Sequence, residues 1–348
     1  MRIVIAGYYG YRNWGDEGSL AALLQGLKGT ASQLSVLSGD PTFTEATYGV
    51  AALPRLQIRA VRGAIRASDA LIFGGGSLLQ DVTSLRSLLY YLALIRWGLQ
   101  AHGKVLLVGQ GVGPLQRPIS RWLVSAMLRR VPFLSVRDAA SAQLLSRIGV
   151  THATIDADLT WSLTPLPPPV ELGEGTRWIG LAPRRWGSMP VQEAFVALCR
   201  QLHADGYRAM LIAMQESQDR ALCEAIAAET DAFVLPAPAH PAQLLGMMRS
   251  LQGMVALRLH GAIFAASQGV PTLCIAYDPK VDALATQLGA PRVELNHLEE
   301  ALLAAWQAFQ AQRTALEAQL RARICHLRAA ATDLLHRVHA FLTTAMGR

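Results

Sequence analysis

The sequence predicts an α/β protein of two Rossmann-like domains, parallel sheets facing a cleft, followed by C-terminal helices. Three observations carry that expectation. Short β-rich runs alternate with longer helical patterns, which is the signature of a parallel sheet covered by helices. A proline-rich interruption, TPLPPPVELGEGT, spans Thr164 to Thr176 and can continue neither a helix nor a central strand. Beyond it the alternation restarts, and 348 residues suit two domains of roughly 150 each.

In chain order, the first-half strands are expected at Ile3 to Gly7, Leu34 to Leu37, Ala70 to Phe73, Val105 to Val108 and Phe133 to Val136. Each is followed by turn residues and a helical segment. After the interruption, Trp178 to Ala182, Arg208 to Ala213, Phe233 to Leu235, Met254 to Leu257 and Thr272 to Ala276 read as strands, with helices such as Val191 to His203 between them. From about Leu298 the chain is rich in Ala, Leu, Gln and Arg, with no breaker until Gly347, and reads as one or two long helices. The expected boundaries are therefore 1–164, a linker at 165–176, a second domain at 177–297 and helices at 298–348. Open parallel sheets bind ligands beyond the carboxyl ends of their strands, and two of them joined by a linker place the expected site in a shared crevice.

Composition narrows the function. Charged residues are 16% and hydrophobic ones 51%, with a mean hydropathy of +0.25, so much apolar surface needs cover from a cleft, a partner or a membrane. Lys and Arg exceed Asp and Glu by seven, for a pI near 9.5, which favours anionic partners without choosing among nucleic acid, phosphorylated metabolites and acidic lipid. The opening MRIVIAGYYG reads as a strand rather than a secretory signal, because Asp16 and Glu17 follow with no small-residue cleavage site. Leu85 to Leu99 is apolar but interrupted by Arg86 and Arg96, and is too short to span a bilayer. Cys199, Cys223, Cys274 and Cys325 lack paired spacing, which argues against a zinc or redox centre and for reduced thiols in a cytoplasmic protein.

Glycine-rich loops end three first-domain strands. In GYYGYRNWGDEGSL, Gly7, Gly10 and Gly15 permit tight turns and Asp16 is expected to cap a helix starting near Glu17. The loop matches neither G-x-G-x-x-G nor a Walker loop. In LIFGGGSLLQD, Gly74, Gly75 and Gly76 allow close approach, Ser77 offers a hydroxyl and Asp81 a carboxylate suited to sugar hydroxyls or to a solvated helix face. In GQGVGPL, Gln110 is a candidate polar contact. All three loops have a plain reading in which glycine serves turn geometry alone.

Cations gather at other strand ends. Arg137 follows Phe133 to Val136 and suits a carboxylate or phosphate, or else an internal pair with Asp138 or another carboxylate. Arg258 and His260 flank Leu259, so in extended geometry they point the same way. Lys280 follows the next strand, behind Asp278 as cap and Pro279 as first helical residue. Arg184 in LAPRRW is a weaker fourth cation, equally readable as a surface residue. Together they suit a small, multiply anionic ligand.

The ordered set GYYGYRNWGDE, FGGGSLLQD, GQGVGPL, SVRD, LAPRRW, RLHG and YDPK resembles the polysaccharide pyruvyl transferase family, especially the CsaB type acting on secondary cell-wall polymers. The resemblance runs from near residue 2 to about residue 295. It implies a GT-B-like fold and transfer of pyruvate from phosphoenolpyruvate, as a cyclic ketal, to a sugar such as terminal N-acetylmannosamine of a lipid-linked cell-wall precursor, a step in S-layer anchoring. It implies Arg137, Arg258, His260 and Lys280, with Arg184, as the phosphoenolpyruvate site, and His260, Asp16 and Glu17 as catalytic groups. Acceptor contacts are expected from Asn13, Asp16, Gly75, Gly76, Ser77, Asp81 and Gln110. No cofactor, metal or nucleic acid is expected. One departure is ADLTW at 157–161, where Leu159 stands in place of the family's usual proline. Two other readings stay open: a GT-B glycosyltransferase using a nucleotide sugar, and a glycan- or anion-binding membrane adaptor. The adaptor reading draws on Leu85 to Leu99 and on Arg117, Arg121, Arg129 and Arg130; the same surface would let an enzyme with a membrane-linked acceptor dock peripherally at the inner face of the plasma membrane.

Overall fold

The computed structural model describes residues 1–82, 84–173, 175–294 and 298–344; Glu174 of the proline-rich stretch and the terminal Gly347 lie outside them. The chain divides into two units. One comprises residues 1–11, 16–163 and 328–348, the other residues 12–15 and 164–327.

The first unit is built on β1 (Arg2–Tyr9), β2 (Gln33–Ser38), β3 (Ala51–Pro54), β4 (Ala70–Gly74), β5 (Val105–Gln110), β6 (Phe133–Val136) and β7 (Thr154–Ile155). They pair in parallel in the order β3-β2-β1-β4-β5-β6-β7. Between them run α1 (Trp14–Gly26), α2 (Pro41–Tyr48), α3 (Ile58–Ala67), α4 (Leu85–Ala101), α5 (Pro118–Leu128) and α6 (Ala139–Arg147). The second unit repeats the plan with β8 (Trp178–Ala182), β9 (Arg208–Leu211), β10 (Phe233–Val234), β11 (Leu251–Ala256), β12 (Thr272–Ala276) and β13 (Arg292–Glu294), ordered β10-β9-β8-β11-β12-β13. Its helices are α7 (Val191–Ala204), α8 (Glu216–Ala228), α9 (Pro241–Met248), α10 (Leu259–Ser267) and α11 (Pro279–Leu288).

The inner strands β4 and β5 are buried at every residue, because helices cover both faces of a parallel sheet. That two-sided burial accounts for much of the apolar excess of the composition. The strands the sequence did not reveal, β3, β7 and β13, are outer ones of two to four residues, too short to set up a hydrophobic pattern. In each sheet the order reverses once, at β1/β4 and at β8/β11, and chains leaving the two strands there run to opposite faces and open a crevice.

The C-terminal segment is one 47-residue helix, α12 (Leu298–Thr344), and it is not a separate layer. Leu298, Leu302, Trp306 and Phe309 are buried in the core of the second unit, with the Trp306 indole donating to Asp205 at 2.8 Å. From Arg328 the same helix belongs to the first unit, where Ala331, Leu334, Val338 and Leu342 form a buried stripe at helical spacing. Gly26 of α1 leaves room for Leu335, which a Cβ there would meet at 2.8 Å. No described helix is long and apolar enough to cross a membrane. Three of the four thiols are buried and Cys325 is exposed.

Candidate functional site

In the first unit the switch point is built from glycines that let backbone and side chains approach. Gly10 adopts φ +79°, and a Cβ there would meet Ser38 Oγ at 2.2 Å and Asp40 N at 2.4 Å. Gly75 and Gly76 turn with φ +69° and +78°, bringing the chain against Ser19 and the Asp16 carboxylate, 2.8 Å from where a Gly76 Cβ would stand. Gly7, by contrast, has an ordinary φ and is small because the Tyr9 ring lies over it; Tyr9 in turn donates to the Gly74 carbonyl.

The carboxylates of this rim divide by environment. Asp16 lies in the first turn of α1, which begins at Trp14, so it does not cap the helix; its half-buried side chain faces the glycine turn. Glu17 is fully buried, accepts hydrogen bonds from Gly10 N at 2.8 Å, Tyr11 N at 3.3 Å and Tyr48 Oη at 2.9 Å, and holds the loop closed. Burial pushes its carboxyl up to about 7, against the pull of those donors. Asp81, expected to meet sugar hydroxyls, is buried and accepts from the backbone of Gln116 and Arg117 at 2.8 and 2.9 Å, which fixes the loop after β5. Gln110 likewise turns inward, its amide donating to Phe73 O at 3.1 Å and Gly75 O at 2.6 Å. Glu17, Asp81 and Gln110 therefore shape the rim and do not line it.

Arg137 is buried in an ion pair with Asp158 at 2.8 Å and also donates to Ser77 Oγ at 3.2 Å. The internal pairing expected from the sequence is formed, more distantly with Asp138 at 3.8 Å and closely with Asp158 of the departing ADLTW segment. With leucine in place of proline, Asp158 still accepts from Thr160 N at 3.0 Å and opens the short turn Leu159–Ser162. The sequence did not single out Arg55. It follows β3, is buried, donates to Gly7 O at 3.4 Å and Tyr91 Oη at 3.1 Å, and lies 4.8 Å from the Tyr90 ring centre.

In the second unit the arginines expected at the site, Arg258 and Arg184, differ in their surroundings. Arg258 meets Asp219 of α8 in a two-pronged pair, Nε to Oδ2 at 2.8 Å and Nη2 to Oδ1 at 2.6 Å, with Gln218 accepting at 3.0 Å and Gln215 at 3.4 Å. Asp219 has no exposed surface and Arg258 has 9%, so this guanidinium is neutralised inside the protein and is not offered to an anion. Asp219 also accepts from Gln215 N at 2.9 Å. Gln215 forms an antiparallel bridge with Asn13, and Trp14 N donates to Met214 O at 2.9 Å. Asn13 thus belongs with the second unit, where its backbone pairs with Gln215. The segment MQESQDR is the feature the sequence reading missed: a Gln and an Asp one helical turn apart, a few residues beyond a strand.

His260 is not in extended geometry. Arg258 is the N-cap of α10 and His260 lies in the first helical turn, half-buried, with its ring 6.3 Å from that of Phe264. A Cβ on Gly15 would stand 2.0 Å from His260 Nδ1, so this glycine is small to seat the imidazole. Lys280 is in the first turn of α11, its N–H bonded to the capping Asp278 at 2.9 Å, and its side chain is half-buried.

Arg184 has the environment that Arg258 was expected to have. It stands two residues beyond β8, donates to Tyr277 Oη at 2.7 Å and lies 5.3 and 5.4 Å from the Trp186 and Tyr277 rings. Among the described residues no carboxylate pairs with it. Tyr277 is the residue after β12, and β11 lies between β8 and β12. The Arg184–Tyr277 bond therefore reaches across the carboxyl end of β11, where α10 begins without a side-chain cap. A cation whose partners among the described residues are neutral, at the strand ends beside the uncapped start of α10, can hold an anion.

Solved structures place this architecture in known company. The chain matches a glycosyltransferase from Rickettsia africae with a TM-score of 0.62 at 11% identity, over 98% of each chain. It matches a UDP-GlcNAc 2-epimerase from Neisseria meningitidis bound to UDP-GlcNAc, at 0.59 and 10%, over 97% of this chain and 99% of that one. It also matches the Anabaena protein HepE in complex with UDP and glucose, at 0.60 and 10%, over 99% and 100%. These likenesses establish a GT-B-like fold. No curated protein matches the sequence. A sequence profile described as polysaccharide pyruvyl transferase matches residues 13–279, the span holding the Gly75–Gly76 turn, Arg137, Arg184, Arg258 and His260, and the chain belongs to that family.

Proposed function

We propose that the protein transfers pyruvate from phosphoenolpyruvate to a sugar diol as a cyclic ketal, releasing phosphate, with terminal N-acetylmannosamine of a lipid-linked cell-wall precursor as acceptor. The observation that carries this reading is Arg184, a cation whose partners among the described residues are neutral, bonded to Tyr277 across the strand end from which α10 begins. It supports capture of a small ligand bearing both carboxylate and phosphate, with Lys280 adding charge from the neighbouring helix start.

The reaction needs one proton delivered to C3 of the enol, two sugar oxygens bonded to C2, and cleavage of the C2–O bond to phosphate. His260 delivers the proton that turns the methylene into a methyl group as the first hydroxyl adds to C2. The first hydroxyl's proton restores the imidazole, and the second hydroxyl's proton leaves with phosphate. Asp16, at the glycine turn of the first unit, is the carboxylate suited to orient the acceptor, beside Gly75, Gly76 and Ser77. The sequence of proton transfers balances without a cofactor. Phosphoenolpyruvate is a cytoplasmic metabolite, which agrees with a cytoplasmic enzyme.

The test is phosphate release from phosphoenolpyruvate across a panel of sugar diols. Release only with an acceptor, and a fall of about 10- to 100-fold in kcat/KM for Arg184→Met with an unchanged melting temperature, is the expected result, matching the loss of one charge-assisted bond. Consumption of a nucleotide sugar with glycosidic-bond formation would replace the proposal with the glycosyltransferase reading.

A further inference from the structure

We infer that the first unit docks on an anionic lipid bilayer through the opening turns of α3, α4 and α5, independently of the chemistry of the site. Six of the nine exposed large hydrophobic side chains among the described residues lie there: Leu56 and Ile58 at α3, Val82 and Leu89 at α4, Ile119 and Trp122 at α5. Leu56 is 74% exposed and Trp122 64%, values a monomer in water gains nothing from. The three turns are tied to one another. Tyr90, next to Leu89, donates to the carbonyl of Arg55, next to Leu56, at 2.8 Å, and Asp81, next to Val82, holds the backbone of Gln116 and Arg117 just before Ile119. Helices α3 and α4 pack together, as do α4 and α5, so the apolar tips share one face of the unit.

The occupant follows from charge. From residue 55 to residue 138 the chain carries 11 Arg and one Lys against three acids, Asp69, Asp81 and Asp138, and of these Arg55, Arg137 and Asp81 are buried. Arg59, Arg62 and Arg66 on α3 and Arg86 and Arg121 beside the tips are exposed. An apolar tip with an indole, ringed by arginines and nearly free of carboxylates, matches the interface of a bilayer with anionic headgroups. The face differs from the one expected from the sequence. Leu88, Tyr91, Leu92, Leu94 and Ile95 of the apolar stretch are core residues, and Leu89 is the one large apolar side chain of that helix that is exposed.

The experiment is co-sedimentation of the full chain with vesicles of equal parts phosphatidylglycerol and phosphatidylcholine, and with phosphatidylcholine alone, at low and at physiological salt. Binding to the anionic vesicles is expected, weakened by salt. Ile119→Ser with Trp122→Ser should lower partitioning by about tenfold or more. Arg59→Gln with Arg62→Gln should lower it by about fivefold per charge. Each variant should keep the wild-type melting temperature, since all four side chains are exposed. Three results would overturn the inference: no binding to anionic vesicles at low salt, full displacement by soluble glycerol phosphate, or self-association abolished by the Ile119/Trp122 double variant in place of vesicle binding.

Discussion

Arg258→Met separates a buried structural pair from a ligand-binding cation. The substitution keeps the length of the side chain and removes its charge, leaving Asp219 with no exposed surface and one remaining backbone donor, Gln215 N at 2.9 Å. Breaking such a pair from one side typically costs about 3–5 kcal/mol, because the carboxylate stays buried without its counterion. For a unit of this size each kcal/mol lowers Tm by about 2–4 °C, so the transition of the second unit should fall by about 6–20 °C in differential scanning calorimetry. Asp219→Asn added to Arg258→Met removes the stranded charge while its amide oxygen still accepts from Gln215 N, and should restore at least half of the loss. The segment 12–15 rests on the same loop through Asn13, Trp14 and Gln215, so the single variant should also loosen the seat of His260. A Tm within about 2 °C of wild type, together with a tenfold rise in KM for the donor, would refute this reasoning and return Arg258 to the ligand.

Two further perturbations test the rim. Gly15→Ala places a methyl 2.0 Å from His260 Nδ1, and displacement of the imidazole by an ångström should reduce kcat by about a hundredfold with little change in KM; a kcat within twofold of wild type would show that His260 is not the proton donor. Glu17, with its carboxyl raised to about 7 by burial, keeps its proton in the folded chain while the unfolded chain loses it near 4.5. Stability therefore falls as pH rises between those values, by about 3 kcal/mol in all, and Glu17→Gln should remove that component. The check is urea unfolding across this range, and an unchanged pH slope in the variant would count against the buried, protonated carboxyl.

The alternation of apolar runs with helical segments determined two parallel-sheet units, because strands covered on both faces are written as unbroken Val, Ile and Leu runs that local sequence displays. Outer strands such as β7, with two exposed residues, carry no such signal. Glycine turns and strand-end cations were equally legible, since both follow directly from position along the chain. Which cation keeps its charge available was not. Arg258 and Arg184 both stand two residues beyond central strands, and only the tertiary structure decides that Asp219, 39 residues away, neutralises the first while Tyr277 leaves the second its charge. Similarly, Asp81, Gln110 and Glu17 are polar residues beside glycine loops in sequence, and become internal supports because the backbone folds around them and presents its own amides and carbonyls. A sequence fixes where a side chain emerges from its strand; its partners come from other segments, and for a buried charge the partner decides whether anything is left for a ligand.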